Sequence, residues 1–293
     1  MRVTDAMLYD LVSRNGQAAK SRLDQATAQE SSGSRVVHPG DDPGAAGLIV
    51  TGQMNASTLD TIATTAGRAA DELQTTDGAL SAVADGVSRA RQLAVQLSTS
   101  TYSASDRAAA ASEVQGILAS AVASLNAKVG NRYVLGGFQD GAPPFDAAGN
   151  YAGDQGVRQV EIAPGVYQAA NVNAAVAVKG ANGGVDILAT LSALATALQS
   201  NDVSGVQATI DQLAQGTSQL ATARGQAGAA MSTLDAAVTA NQAARDTATK
   251  TVSGLADVDA IAAATNLAQA QYALQASLTA TAQSFNLTLV NKL

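Results

Sequence analysis

This sequence predicts a mainly α-helical fold: an elongated antiparallel helical bundle with coiled-coil packing, paired terminal helices and a small β-rich insert. Three observations carry that expectation. The five prolines, Pro39, Pro43, Pro143, Pro144 and Pro164, leave two long proline-free stretches around a short middle rich in proline and glycine. Proline lacks the N–H that a helix interior needs and clashes with the preceding turn, so its absence permits long helices. Apolar residues recur at alternating steps of four and three through both stretches, the signature of a helical seam. Aromatic residues are only 3% of the chain, while alanine, serine, threonine and glutamine abound. Small side chains suit helices that approach closely along their length.

The elements follow in order. Near the N-terminus Leu8, Val12, Ala19 and Leu23 share one helical face, and Asp5, Asp10, Asp24 and Glu30 are balanced by Arg14, Lys20 and Arg22. Asp42 then offers an N-cap, with Pro43 at the first helical position. From Leu48 to Leu97 the four–three stepping meets Leu, Ile, Val or Ala at twelve of 15 positions. These fifty residues would make a rod of about 75 Å, at about 1.5 Å per residue, and the seam is expected to be internal core. Another helix is predicted after Ser105-Asp106, with Val114, Leu118, Ala121 and Leu125 on one face.

The middle changes character. Val157 to Ile162 alternates as a strand does, Asn173 to Val178 reads similarly, and glycines punctuate both. The helical stepping resumes from Val206 to Val238, weakens through Asn241 and Arg245, and returns at Ala248, Val252 and Leu255. This second long helix is expected to run antiparallel to the first, because the chain must return from the insert. Both long stripes lie outside the insert, so its removal is expected to leave the seam undisturbed. At the C-terminus Leu267, Leu274, Leu278, Phe285 and Leu289 share a face, and no charge occurs from Ala260 to Asn291. A helix with uncharged polar flanks can pack on several sides without burying ions. The expected organisation is a terminal-helix domain of residues 1–40 with 257–293, a long-helix bundle of 41–130 with 186–256, and an outward insert of 131–185.

Composition excludes several functions. With no cysteine there is no disulfide framework, thiolate metal site or cysteine nucleophile. The net charge is −7 and the basic residues are scattered, which disfavours nucleic acid. Asp5 and Asp10 interrupt the N-terminal segment, so it has no apolar signal-peptide core. No stretch reads as a membrane span; the segment 260–291 is studded with Asn266, Gln269, Gln271, Gln275, Gln283 and Asn286. His38, the single histidine, lacks a serine or cysteine partner and reads as a solvated loop residue. Asp41 and Asp42 sit at a helix start, where capping explains them. Asp140, Asp146 and Asp154 do not have the spacing of a calcium loop and suit Asx turns. Gly136-Gly137 lacks the spacing of a phosphate cradle. No enzymatic site, metal or cofactor is expected.

Four segments carry a family resemblance. Gly33-Ser34-Arg35-Val36-Val37, followed by Gly40-Asp41-Asp42-Pro43-Gly44-Ala45-Ala46, resembles the N-terminal signature of the flagellin superfamily. Flagellins usually carry alanine where this chain has Pro43; the Asp-Asp-Pro form is similar to the hook–filament junction branch. Gly130-Asn131-Arg132-Tyr133-Val134-Leu135-Gly136-Gly137, then Pro144-Phe145, Tyr151 and Gly153-Asp154, resembles the start of that branch's insert, with Asn131 before the arginine and Leu135 in place of the usual phenylalanine. Gly225-Gln226-Ala227-Gly228-Ala229, and the segment from Asp257-Val258-Asp259 to Leu278, are similar to its C-terminal half.

The resemblance implies a structural adaptor of the bacterial flagellum, exported without signal cleavage and placed at the hook–filament junction. Its implied partners are further copies in a ring, the adjacent hook-associated protein, flagellin, and an export chaperone at the C-terminal helix. Periodicity alone leaves the terminal stripes open between core and contact surface. The resemblance assigns Leu8, Val12, Leu23, Leu267, Leu274, Leu278, Phe285 and Leu289 to subunit contacts. It marks Asp41, Asp42, Pro43, Arg132, Tyr133, Gly136 and Gly137 as structural motif residues. A minor or truncated flagellin is the alternative within the same class; a soluble coiled-coil scaffold is the alternative of another class.

Overall fold

The computed structural model describes the backbone of residues 2–290, and the side chains of Met7 and of residues 9–283. The chain forms α1 (Arg2–Ser32), α2 (Pro43–Leu97), α3 (Ala104–Leu125), β1 (Lys128–Val129), β2 (Arg132–Tyr133), β3 (Gln159–Ala163), β4 (Val166–Ala169), α4 (Ala174–Ala177), α5 (Ile187–Gln199), α6 (Val203–Ala256) and α7 (Ala260–Val290). It divides into two compact units, Met1–Thr58 with Ala244–Leu293, and Leu59–Ala243. The architecture is mainly helical with a small β insert.

In the second unit the long helices run antiparallel. Their partners descend in number along α6 as they ascend along α2: a Cβ on Gly67 would touch Val238, Asp77 pairs with Arg224 at 2.8 Å, and Gln207 Nε2 donates to Ser98 O at 2.8 Å. Leu73, Leu80, Val83 and Val87 of α2 meet Leu213, Leu220 and Leu234 of α6 in one core with Val114 and Leu125 of α3 and Leu191, Leu194 and Leu198 of α5. These side chains are almost wholly buried, and burying each contributes on the order of 2 kcal/mol.

The helix starts are capped as their chemistry dictates. Ser103 and Asp106 form a reciprocal capping box, so α3 begins just before the predicted Ser105-Asp106 start. Asp186 caps α5, a helix the sequence reading did not single out, by accepting from Ala189 N. The strand expected over Asn173 to Val178 is instead the short helix α4. The Asn173 side chain accepts from Ala175 N and Val176 N, and that local bond outcompetes the weak alternation of alanine and valine. The other predicted strand is present as β3, paired antiparallel with β4; β1 and β2 form a separate two-stranded ribbon.

Three further expectations are corrected. The seam is core only from Leu59 onward. Leu48 is 62% exposed and Asn55 is also exposed, because α2 and α6 there lie in the first unit, where no α3 or α5 covers them. The insert is not external to the seam: Val134, Leu135, Phe145, Ala170, Val172 and Val178 belong to the same core cluster as α2 and α6. And α3 has the length and mean hydropathy, 1.3, of a membrane span by composition. It packs on α5 with Val114, Ala121 and Leu125 buried, and it carries a buried arginine, Arg107. Its guanidinium donates to Leu97 O at the C-terminal end of α2, to Thr99 O just beyond it, and to Asn201 Oδ1 in the turn after α5.

Candidate assembly surface

The first unit is built from the two ends of the chain. α1 and α7 pack antiparallel: Val12 and Ala19 share a groove with Ser277 and Ala280, and Ala26 shares one with Asn266 and Ala270. Among the described residues, those buried on these helices are alanines: Ala19, Ala26, Ala263 and Ala270. Alanine lets two backbones approach closely but buries little apolar area, so this pair has a thin seam. Gln25, Gln29, Asn266 and Gln269 line one side of it with uncharged amides.

The predicted stripe divides on this frame. Val12, Leu23, Leu267 and Leu274 are partly buried; Leu278 is 59% exposed. The side chains of Leu8, Phe285 and Leu289 lie outside the described residues. Among the described residues, several strongly exposed apolar side chains of the unit lie outside the predicted set. Ile261 is 82% exposed and Tyr272 72%, and Met7, Tyr9, Leu11, Val50 and Met54 also stand out in solvent. These residues fall off the four–three stripe. Their signal was large apolar side chains on helices whose own seam needed only alanine.

Where α1 gives way to α2, the Gly-Ser-Arg and Asp-Asp-Pro motifs fold together. α1 ends at Gly33, whose positive φ of 66° suits glycine and whose N–H reaches Gln29 O at 2.9 Å. Asp42 Oδ1 accepts from Ala45 N at 3.0 Å, and Pro43 occupies the first helical position, where its missing N–H costs nothing. The Ala45 N–H and then the Arg35 guanidinium hold the Asp42 carboxyl below the usual carboxylate range. Asp41 does not cap the helix. Its Oδ2 accepts from Val37 N and His38 N and closes the preceding turn, because the chain folds back on itself there. His38 is exposed.

The second motif is a packed knot in the other unit. Arg132 Nε pairs with Asp140 at 2.6 Å and Tyr133 N donates to Asp140 O at 2.9 Å, while Lys128 Nζ lies 4.3 Å from the centre of the Tyr133 ring. Gly136 and Gly137 are required by crowding: a Cβ on Gly136 would lie 2.6 Å from Gln139 O, and one on Gly137 would strike Asp154. Asp154 Oδ1 in turn accepts from Phe138 N and Gly156 N, and Asp146 Oδ1 from Ala148 N and Asn150 N. Phe145 is 1% exposed, its main chain is held on both sides by the Asn126 amide, and its ring lies 5.1 Å from that of Tyr151. Burial, with the charge of Asp154 nearby, pushes the Tyr151 hydroxyl up to about 12. The polar groups named here are thus engaged within the protein, while the Phe138 side chain is exposed. Among the described residues no group of His, Asp and Glu side chains is placed to hold a metal ion.

The chain matches the bacterial flagellin N-terminal helical region over residues 3–139 and the bacterial flagellin C-terminal helical region over residues 208–293. It is 31% identical over 165 residues to flagellar hook-associated protein 3 of Salmonella typhimurium, a match covering 54% of this chain and 51% of that protein. It is also 31% identical over 157 residues to flagellar hook-associated protein 3 of Escherichia coli, covering 52% and 49%. The chain spans about half the length of the curated relatives it matches. A putative flagellar hook-associated protein from Vibrio parahaemolyticus superposes with a TM-score of 0.67 at 17% identity, over 74% of this chain and 100% of that one. FlgL of Xanthomonas campestris gives 0.59 at 21% identity, over 68% and 99%. At these identities the likeness is one of fold.

Proposed function

The chain belongs to the flagellin family, and from that membership we propose that it is a hook–filament junction protein: a structural adaptor joining a ring of hook-associated subunits to the first flagellins by packing, without catalysis. One observation carries this reading. The unit made of the chain's two ends leaves Ile261, Tyr272, Leu278, Met54 and Met7 exposed, while among the described residues its internal seam buries only alanines. Apolar groups displayed on helices with a thin seam of their own favour association with other subunits. In this reading Val12, Leu23, Leu267, Leu274 and Leu278, with Leu8, Phe285 and Leu289 beyond the described side chains, are contact residues. The α7 face also serves an export chaperone before assembly, as an amphipathic helix laid in a groove. The terminal-helix, long-helix and insert parts then correspond to inner, middle and outward layers of the assembled ring.

A minor flagellin is the competing reading, favoured by the match to both flagellin helical regions. Immunogold electron microscopy separates the two. Label at a single point between hook and filament supports the adaptor. Label along the whole filament overturns it in favour of a filament subunit.

A further inference from the structure

We infer that Arg35 is the pin of a joint: it fastens the end of α6 to the start of α2, and its release frees α1 and α7 to move as a pair without unfolding the rest. The inference rests on the reading of the terminal pair as an assembly surface, and it adds how that surface is held in position.

Every polar group of Arg35 is engaged, and on different elements. Its N–H donates to Ala256 O at 2.6 Å, at the end of α6. Its carbonyl accepts from Gln29 Nε2 of α1 at 2.8 Å. From its side chain, Nε and Nη2 both point at Leu255 O of α6, at 3.3 and 3.0 Å. On the other edge of the guanidinium, Nη1 reaches Asp42 Oδ2 at 3.1 Å, on the carboxylate whose other oxygen caps α2. The flanking chain completes a two-stranded crossing of the linkers: Ser34 bridges Asp257, Val258 N donates to Gly33 O at 3.0 Å, and Ser34 Oγ lies 3.1 Å from Ala256 O. Asp259 then caps α7 through Ile261 N and Ala262 N.

Only a planar fork serves both edges at once. Arginine offers five N–H donors in fixed directions, and its charge is favourable at the carbonyl end of a helix. Lysine keeps the charge but presents one point of contact. The linker side chains Val36, Val37, Leu255 and Val258 are only partly buried, so hydrogen bonds contribute to fixing the geometry there.

Hydrogen–deuterium exchange on the full chain tests this, comparing the wild type with Arg35→Lys, Arg35→Ala and the exposed α1 control Arg14→Ala. The expected result is exchange about tenfold faster in residues 33–42 and 255–259 for both Arg35 variants, the loss of a capping and charge-assisted bond. Exchange across residues 59–97 and 206–238 stays unchanged, and Arg14→Ala has no effect. Unchanged linker exchange, or equal acceleration throughout the second unit, overturns the inference. In cells, Arg35→Ala is expected to shed filaments into the medium. Full filament retention despite loosened linkers overturns the assembly part of the inference, whereas failure of the junction reading itself shows in the position of the immunogold label.

Discussion

Asn241, buried on α6, donates from Nδ2 to the carbonyl of Ile162 on β3 at 2.7 Å. The same amide nitrogen is 2.7 Å from Ala237 O one turn back. A side chain 79 residues away thus fastens the β3–β4 hairpin to the long helix. Asn241→Ala leaves the Ile162 carbonyl unpaired and is expected to cost about 1–3 kcal/mol. Urea unfolding measures the loss, and limited proteolysis is expected to cut within residues 159–169 sooner than in the wild type.

That contact also shows where the sequence stopped being readable. The four–three stepping is a strong signal because one helical face must be apolar over many turns, and it located α2 and α6. At Asn241 the stepping weakens, which reads as a fading seam when it is an anchor for a strand; a hydrogen bond to a distant carbonyl leaves no period. The same holds for Arg35, whose partners on α6 are main-chain carbonyls 220 residues away. The short apolar run of α5 is compatible with strand or helix, and after Asn173 a single cap decides the four residues of α4. Leu48 fits the stripe but is exposed, since periodicity reports a face and not what covers it.

Phe145 joins the insert to the bundle core. With 1% exposure and the Tyr151 ring beside it, Phe145→Ala is expected to cost about 3–5 kcal/mol. Chemical denaturation followed by circular dichroism checks this. By the same packing, deleting residues 131–185 is expected to lower the melting temperature of the remaining helices, against the expectation from stripes alone.

Acid sensitivity follows from the capping carboxylates. Asp42, Asp106, Asp146 and Asp202 are all held below the usual carboxylate range; for Asp106 the Ser103 hydroxyl and then the Ser103 N–H are responsible, and for Asp202 the Ser204 hydroxyl. Their folded values lie below the unfolded value of about 3.9. The unfolded state therefore binds protons first, and the stabilisation, present above that value, fades as pH falls through the folded values. Urea midpoints are expected to drop below about pH 4, and Asp106→Asn with Asp202→Asn is expected to flatten that decline.

Tyr151 gives the opposite limb. Its hydroxyl, raised from 10.0 to about 12, stays protonated when an unfolded tyrosine has already ionised. Stability from this group is complete below the unfolded value and is lost as pH rises between the two. Phenolate absorbance during alkaline titration is expected to show one lagging tyrosine, absent in Tyr151→Phe.

If α7 is a contact surface as proposed, its exposed face is expected to separate folding from assembly. Tyr272 and Leu278 are 72% and 59% exposed, so Tyr272→Ala with Leu278→Ala is expected to change stability by less than about 0.5 kcal/mol. The same variant is expected to shed filaments. Thermal melts alongside assays of motility and shed flagellin check both halves; normal swimming with full filaments would remove this face from the contact surface.

One property of α7 reaches further. Between Ala260 and Val290 it carries no acidic or basic side chain. Contacts made by that helix through its apolar and amide groups are not attenuated by counterions, unlike exposed ion pairs, which weaken when the screening length shrinks from about 30 Å at 0.01 M salt to about 8 Å at physiological ionic strength. They involve no carboxylate, imidazole or amine of α7. A bacterium swimming from rainwater into brine changes the medium around its appendage and leaves the strength of such a helix's grip nearly constant.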